Sequence, residues 1–200
     1  MKYFITGLHA SGKQEVVDIL QMMGVKCGRL FTNMDDMTSD IYNSDNYEIF
    51  TNDDVNELFE NDAYIFIQEL PQTTMSFKTG RYYEGLSKYE FDNNDVFILS
   101  PDQLLSITPN TIKEDVCFIW LDNTKDNRAA RYYNERRSYN YNERDIYEKR
   151  DLNTYVKTMY SFNNSSLIYF NNEIPDRIAT IIYTMIKYPD LVDIYVKNFN

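Results

Sequence analysis

The chain has 200 residues, 43% of them hydrophobic, with few prolines and glycines; that fits one folded domain with a sizeable core and excludes a disordered chain. A net charge of −11 excludes a general nucleic-acid binder, which needs a basic face. No apolar run approaches a membrane span or the core of a signal peptide, so a soluble, cytoplasmic protein is expected.

In chain order, Tyr3-Phe4-Ile5 reads as a buried strand. A glycine loop follows, Gly7-Leu8-His9-Ala10-Ser11-Gly12-Lys13, and behind it Val16, Ile19, Leu20 and Met23 recur at helical spacing. Strand, G-x-x-x-x-G-K and helix together are the context of a phosphate-binding loop. Gly7 and Gly12 permit tight turns with no Cβ in the way of a phosphate. The loop amides through Gln14 point into one concavity, and the new helix adds its positive end. Lys13 supplies a mobile cation for the outer phosphates. Gln14 stands where Ser or Thr commonly holds Mg²⁺; its amide oxygen is the candidate ligand there, directly or through water. His9 is the sole histidine, which leaves no histidine-based triad or metal cluster. It reads as a loop residue lending its backbone amide.

Val25 to Phe31 is a second candidate strand, and Met34 to Asn46 reads as a polar loop. Tyr47 to Phe50 is a strand, and Asn52 or Asp53 caps a short helix through Glu60. Ala63 to Leu70 is a strand. Met75 to Phe77 and Arg81 to Tyr83 flank Lys78-Thr79-Gly80 as a hairpin. Asp95 to Leu99 is a buried strand, with a helix opening at Pro101. Val116 to Leu121 is another, followed by a helix capped by Asn123 or Thr124. That helix continues from Arg128 to Arg137, breaks at Ser138 to Asn142, and helix resumes over Glu143 to Tyr160. Leu167 to Phe170 is the last strand. Pro175 starts a helix with Ile178, Ile181, Ile182 and Met185 on one face, and a short final helix runs to about Lys197. Alternating strands and helices with buried strands predict a parallel sheet covered on both faces. Cys27 and Cys117 lie in apolar runs, as buried free thiols of a reducing compartment would.

The charge is uneven. Lys125 to Arg150 holds eight basic and five acidic residues, while the rest of the chain carries 12 basic against 26 acidic. A basic island in an acidic protein points to a local anionic ligand; its plainer reading is a solvated helix face laced with ion pairs.

With these landmarks in order, the chain resembles the guanylate kinase family of P-loop nucleoside monophosphate kinases. Asn46-Tyr47-Glu48-Ile49-Phe50 is similar to the family's D-Y-x-F segment. Gly80-Arg81-Tyr82-Tyr83-Glu84-Gly85 is similar to its G-x-x-Y-G-[ST] turn, with Glu84 inserted. Phe97 to Gln103 resembles its I-L-D-x-D-x-Q strand end, where Ser100 replaces or flanks the first carboxylate. The resemblance implies a five-stranded parallel sheet flanked by helices, in one domain with its core at 1–33, 92–137 and 151–200. A β-rich acceptor-binding insert spans about 34–91 and a helical lid about 138–150. It implies ATP as phosphoryl donor with Mg²⁺, and GMP or dGMP as acceptor. Tyr47 and Tyr83 would hold the acceptor phosphate, with Asp102 at the nucleoside. Gln68 or Glu69 would be the base-reading residue, Glu69 by preference.

Arg128, Arg131, Arg136, Arg137 and Arg150 are similar to the arginines that flank the family's lid. Arg136, Arg137 and Arg150 are the candidates for the charge of the transition state. The family's T-T-R-x-x-R segment reads Phe31-Thr32-Asn33-Met34-Asp35-Asp36 here, without arginine, so either Arg29 or Arg81 compensates or the acceptor sits differently. Composition and the altered acceptor pocket fit a phage-type deoxynucleotide kinase, a monomer or homodimer that engages neither nucleic acid nor membrane. The alternative from another class is an inactive guanylate kinase-like protein-interaction module.

Overall fold

The computed structural model describes residues 1–8, 10–34, 46–70, 81–134, 152–162 and 165–194, with backbone alone at 131–134 and 152–153. The core sheet contains β1 (Lys2–Gly7), β6 (Val96–Ile98), β7 (Val116–Asp122) and β8 (Ser165–Asn171) in the order β6-β1-β7-β8. All its pairings are parallel; Tyr3 lies between Val96 and Cys117 in register. Such strands are buried on both faces, and their alternate residues divide between two cores. Tyr3, Ile5, Cys117, Ile119 and Leu121 pack with Val16, Val17 and Leu20 of α1 (Lys13–Met22) and with α7 (Pro175–Lys187). Phe4, Phe97, Phe118 and Trp120 face the other way. There they meet Leu104 of α4 (Pro101–Leu105) and Tyr155 and Met159 of α6 (Leu152–Ser161).

A second, mixed sheet has the order β3-β2-β5-β4. In it β2 (Leu30–Thr32) pairs parallel with β3 (Tyr47–Ile49) and antiparallel with β5 (Tyr82–Ser87), and β5 pairs antiparallel with β4 (Tyr64–Leu70). Leu30, Phe66 and Leu86 fix its inner face to the core on the Phe4 side. Its outer face carries α2 (Asn52–Glu60), whose Phe59 ring meets the edges of Tyr64 and Tyr83. The helix α3 (Lys88–Asn93), absent from the sequence reading, follows β5 and buries Phe91. Helix α5 (Lys125–Asn134) follows β7.

Several expectations change. Four strands, not five, make up the described core sheet. The predicted second strand touches it only through a single parallel bridge, Cys27 to Val96. A Cβ at Gly28 would run into the Phe97 ring, and the chain turns away into the second sheet, where β2 begins at Leu30. Helix α2 is capped by Thr51, not by Asn52 or Asp53. The Thr51 hydroxyl accepts from Asp54 N, and the Asp54 carboxylate accepts from Thr51 N, a complete capping box. The predicted hairpin arm at Met75 to Phe77 lies outside the described residues, and β5 runs on to Ser87 as the partner of β4.

Candidate active site

The strand order sets β1 between β6 and β7, and the crevice at the carboxyl ends of such strands is where ligands bind in open α/β sheets. The glycine loop leaves β1 at that edge. Gly7 has φ 143°, and a Cβ there would run into the Leu121 carbonyl of β7; only glycine lets the loop start this close to its neighbour. Gly12 has φ 97° and is the N-cap of α1, with no side chain capping the helix. The first-turn amides therefore carry no side-chain cap, which suits an outside anion. Ala10 also has positive φ, at 56°, so the loop has positive φ at three residues, Gly7, Ala10 and Gly12. The Ser11 hydroxyl is buried in the loop with no hydrogen-bond partner among the described residues, a polar group that a phosphate oxygen would satisfy.

Lys13 folds back over the loop rather than into solvent. Its Nζ donates to the Gly7 carbonyl at 2.8 Å and to the Leu8 carbonyl at 3.0 Å. Gln14 turns sideways. Its Nε2 donates to Asp18 Oδ1 at 2.6 Å, and its Oε1 accepts from Asn46 Nδ2. The amide oxygen proposed for Mg²⁺ is thus committed to Asn46, and the described residues hold no cluster of three metal-ligating side chains. The loop fits a polyphosphate, and the described residues form no preformed metal cluster beside it. His9 lies outside the described residues.

Asn46 links the loop to a buried polar cluster, because the next residue, Tyr47, stands at its centre. The Tyr47 hydroxyl donates to Glu84 Oε2 at 3.2 Å and accepts from Gln103 Nε2 at 2.9 Å. Gln68 Nε2 donates to Glu84 Oε1, while Gln68 Oε1 accepts from the Ser106 hydroxyl at 2.5 Å. Gln103 Oε1 accepts from Ser100 N at 2.8 Å, and Ser100 caps α4 in return. Asp102 stands at the rim, where its Oδ1 accepts from the Tyr155 hydroxyl at 3.2 Å, and Tyr155 stacks on Trp120.

Glu84 is only 5% exposed. Burial pushes its carboxyl above the ordinary range, hydrogen bonds from Gln103, Gln68 and Tyr47 pull it back, and the Asp102 charge adds to the rise. The two free cysteines differ from the expectation in one respect: Cys117 is buried but Cys27 only half-buried, and burial pushes both thiols up to about 12.

The structure brings Tyr47, Asp102 and Gln68, the less preferred of the two base-contact candidates, to this cluster, but not Glu69, Tyr83, Arg29 or Arg81. Successive strand residues point to opposite faces. Gln68 and Glu84 face inward with Phe66 and Leu86, so Glu69 and Tyr83 face outward. Glu69 meets Arg81 at 3.9 Å on an exposed surface, and Tyr83 packs edge-on to Phe59 of α2. Arg29 is likewise exposed, 3.9 Å from Glu48. Asn33, where the family pattern has arginine nearby, is built into the sheet: its Oδ1 accepts from Tyr83 N at 2.6 Å and its Nδ2 donates to Asn52 Oδ1. Arg136, Arg137 and Arg150 lie outside the described residues. Arg128 is buried at 1% exposure at the foot of α5, with its Nε donating to the Asn123 carbonyl at 3.2 Å. The residue that sequence reasoning passed over is Glu84. Its signal was parity: in Tyr82-Tyr83-Glu84-Gly85-Leu86-Ser87 the carboxylate falls on the side of Leu86.

No helix among the described residues is long and apolar enough to cross a membrane. No protein-family model matches the sequence, and no curated protein matches it. Among solved structures, the guanylate kinase from Anaplasma phagocytophilum is similar over 94% of this chain and 84% of its own, with a TM-score of 0.52 at 12% sequence identity. At that identity the likeness speaks for architecture, and the chain has a guanylate kinase-like fold.

Proposed function

We propose that the chain is a nucleoside monophosphate kinase that moves the γ-phosphoryl group of ATP onto GMP or dGMP. The observation that carries this reading is the glycine loop at the carboxyl edge of the core sheet. Its α1 amides are uncapped, Lys13 lies across it, and it is tied through Gln14 and Asn46 to a buried polar cluster on the second sheet. That is a donor-phosphate cradle next to a recognition pocket. Phosphoryl transfer needs chiefly positioning and charge stabilisation, and an acceptor phosphate is already a nucleophilic anion, so no side-chain base is required.

In this reading the loop from Gly7 to Gln14 holds the donor phosphates and Lys13 leaves the Gly7 and Leu8 carbonyls for the transferring group. Tyr47, within an insert at about 34–91, and Asp102, on the core helix α4, serve the acceptor. Arg136, Arg137 and Arg150 supply charge from a lid at about 138–150. Mg²⁺, if it accompanies the triphosphate, would neutralise phosphate charge and would take most of its ligands from water and phosphate oxygens. The protein works in the cytoplasm, and a phage genome is one source that fits its composition.

An ADP-release assay with ATP against each ribo- and deoxynucleoside monophosphate tests the reading. ADP formed only when GMP or dGMP is present supports it. ADP formed without any acceptor indicates an NTPase. The second reading, an inactive interaction module on the same fold, draws on the occupied Gln14 amide and the arginine-free Phe31 to Met34 segment. Absence of ADP with every acceptor selects it.

A further inference from the structure

Gln14 divides its side chain between two elements. It is the second residue of α1, in a first turn whose amides carry no side-chain cap. Its Nε2 donates to Asp18 Oδ1, one turn along the helix, at 2.6 Å, and its Oε1 accepts from Asn46 Nδ2. A carboxylate only accepts, so Asp18 fixes which end of the Gln14 amide faces it and leaves the oxygen for Asn46.

Asn46 in turn opens the second sheet. Its carbonyl accepts from Leu30 N at 2.9 Å, at the head of the β2–β3 ladder, and the next residue, Tyr47, holds Glu84 and Gln103. Helix α1 and that sheet belong to different apolar cores. Val16, Val17 and Leu20 pack in one, and Leu30, Phe66 and Leu86 in the other. The Gln14–Asn46 bond therefore joins two parts that share no apolar core. One residue lends its backbone amide to the donor loop and its side chain to the acceptor sheet. A ligand that orders one end lowers the cost of ordering the other, which is positive coupling between ligands.

We propose that Gln14 is a positioning residue: held by Asp18, it clamps Asn46 and couples occupancy of the donor loop to occupancy of the polar cluster around Tyr47. This rests on the monophosphate kinase reading for the ligands on the two sides. It gives the Gln14 amide, committed here to Asp18 and Asn46, a part in assembling the site.

Titration calorimetry of the full chain with GMP, with and without saturating β,γ-imido-ATP, measures the coupling without relying on turnover. The expected result is GMP about 5-fold or more tighter with the analogue bound, the scale of one net hydrogen bond. Asn46→Asp sets a carboxylate against the Gln14 oxygen, and Gln14 cannot turn over without opposing Asp18, so the ratio falls to within about 2-fold of unity. Asp18→Asn combined with Asn46→Asp restores the net charge and lets Gln14 turn over, donating to position 46 and accepting from position 18. The ratio then returns to within about 2-fold of the wild type, a recovery that a merely structural role would not give. Thermal melts check the fold of each variant. Asn46→Ala, which adds no charge, loses the ratio as Asn46→Asp does, and it decides the matter if the double variant does not fold. Independent binding in the wild type, a ratio that survives Asn46→Ala or Asn46→Asp, or a folded double variant that fails to recover it overturns the proposal. Coupled binding without phosphoryl transfer overturns the kinase reading and leaves the clamp standing. Phosphoryl transfer to GMP with independent binding does the reverse, and a chain that binds neither nucleotide overturns both.

Discussion

Gln68 donates its amide to the carboxylate of Glu84, its register partner across the β4–β5 ladder. The pair sits where the inner face of the second sheet passes from the apolar Phe66 and Leu86 to the polar cluster around Tyr47. Its cost can be measured. Burial raises the Glu84 carboxyl, so the folded chain holds that proton to a higher pH than the unfolded chain does. The contribution to stability is full below the ordinary carboxylate range and is lost as pH rises through the folded value. Glu84→Gln should therefore stabilise the protein at pH 7 by on the order of 1 kcal/mol, roughly 2–4 °C in Tm. The advantage should shrink to nothing below about pH 4. Thermal melts of both proteins across pH 4 to 8 check this; an advantage that grows toward acid would mean that the carboxyl is not raised.

Lys13 makes its observed contacts with two carbonyls of the loop, at 2.8 and 3.0 Å. In Lys13→Ala, phosphoryl transfer should fall at least about 100-fold, the usual scale for losing a charge that stabilises the transition state. The fold should stay intact and the Tm within a few degrees, since Lys13 belongs to neither apolar core. Steady-state kinetics beside a thermal melt separate the two effects, and undiminished turnover would remove the loop from the mechanism.

Gly7 carries both conditions that exclude a side chain, φ 143° and the Leu121 carbonyl in the path of a Cβ. Gly7→Ala should cost about 2–3 kcal/mol in urea unfolding, from backbone strain and displacement of β7. ATP binding should weaken in parallel because the loop starts in the wrong place. A variant of full stability that still binds ATP would show the loop to be more tolerant than its geometry implies.

The core was legible because its signals are local. Tyr3 to Ile5, Val116 to Leu121 and the Ile178 to Met185 stripe carry their burial in their own spacing. The glycine loop likewise has strand and helix on either side. The second sheet was harder, since its faces depend on pairing across chain segments far apart. A shift in register between Tyr64 and Phe66 sets which of Gln68 and Glu69 points inward, and no local pattern reports that shift. Glu84 looked like an extra residue in a turn until β5 placed it opposite Gln68. Val25 to Phe31 has the composition of a strand in the core sheet, but Gly28 packs against Phe97 and the chain leaves the sheet there. Gln14 was legible as a departure from the motif, while its commitment to Asp18 and Asn46 depends on the fold.

Helix α2 offers a control remote from the polar cluster. Thr51 and Asp54 complete its capping box, and the hydrogen bonds from the Thr51 backbone and hydroxyl hold the Asp54 carboxyl below its ordinary value. Thr51→Ala should cost about 1 kcal/mol and leave the kinetic constants unchanged. Urea unfolding and steady-state assays on one preparation test both halves. A fall in turnover would mean that the packing of Phe59 on Tyr83 transmits strain to the inner face of the sheet.

Tyr47 carries one role that the structure shows and another that only the family resemblance implies. By resemblance it grips the acceptor phosphate; in the structure it donates to Glu84 and accepts from Gln103. Tyr47→Phe removes both bonds and leaves one oxygen of a buried carboxylate less satisfied, at a cost of about 1–3 kcal/mol. Because the lost bond favoured the charged form, the Glu84 carboxyl should rise further, and the extra destabilisation should be larger at pH 8 than at pH 5. If the hydroxyl also meets the acceptor phosphate, KM for GMP should rise about 10-fold or more while KM for ATP holds. Stability that falls with pH while both KM values stay fixed would confine Tyr47 to the cluster and leave the acceptor phosphate to the lid arginines.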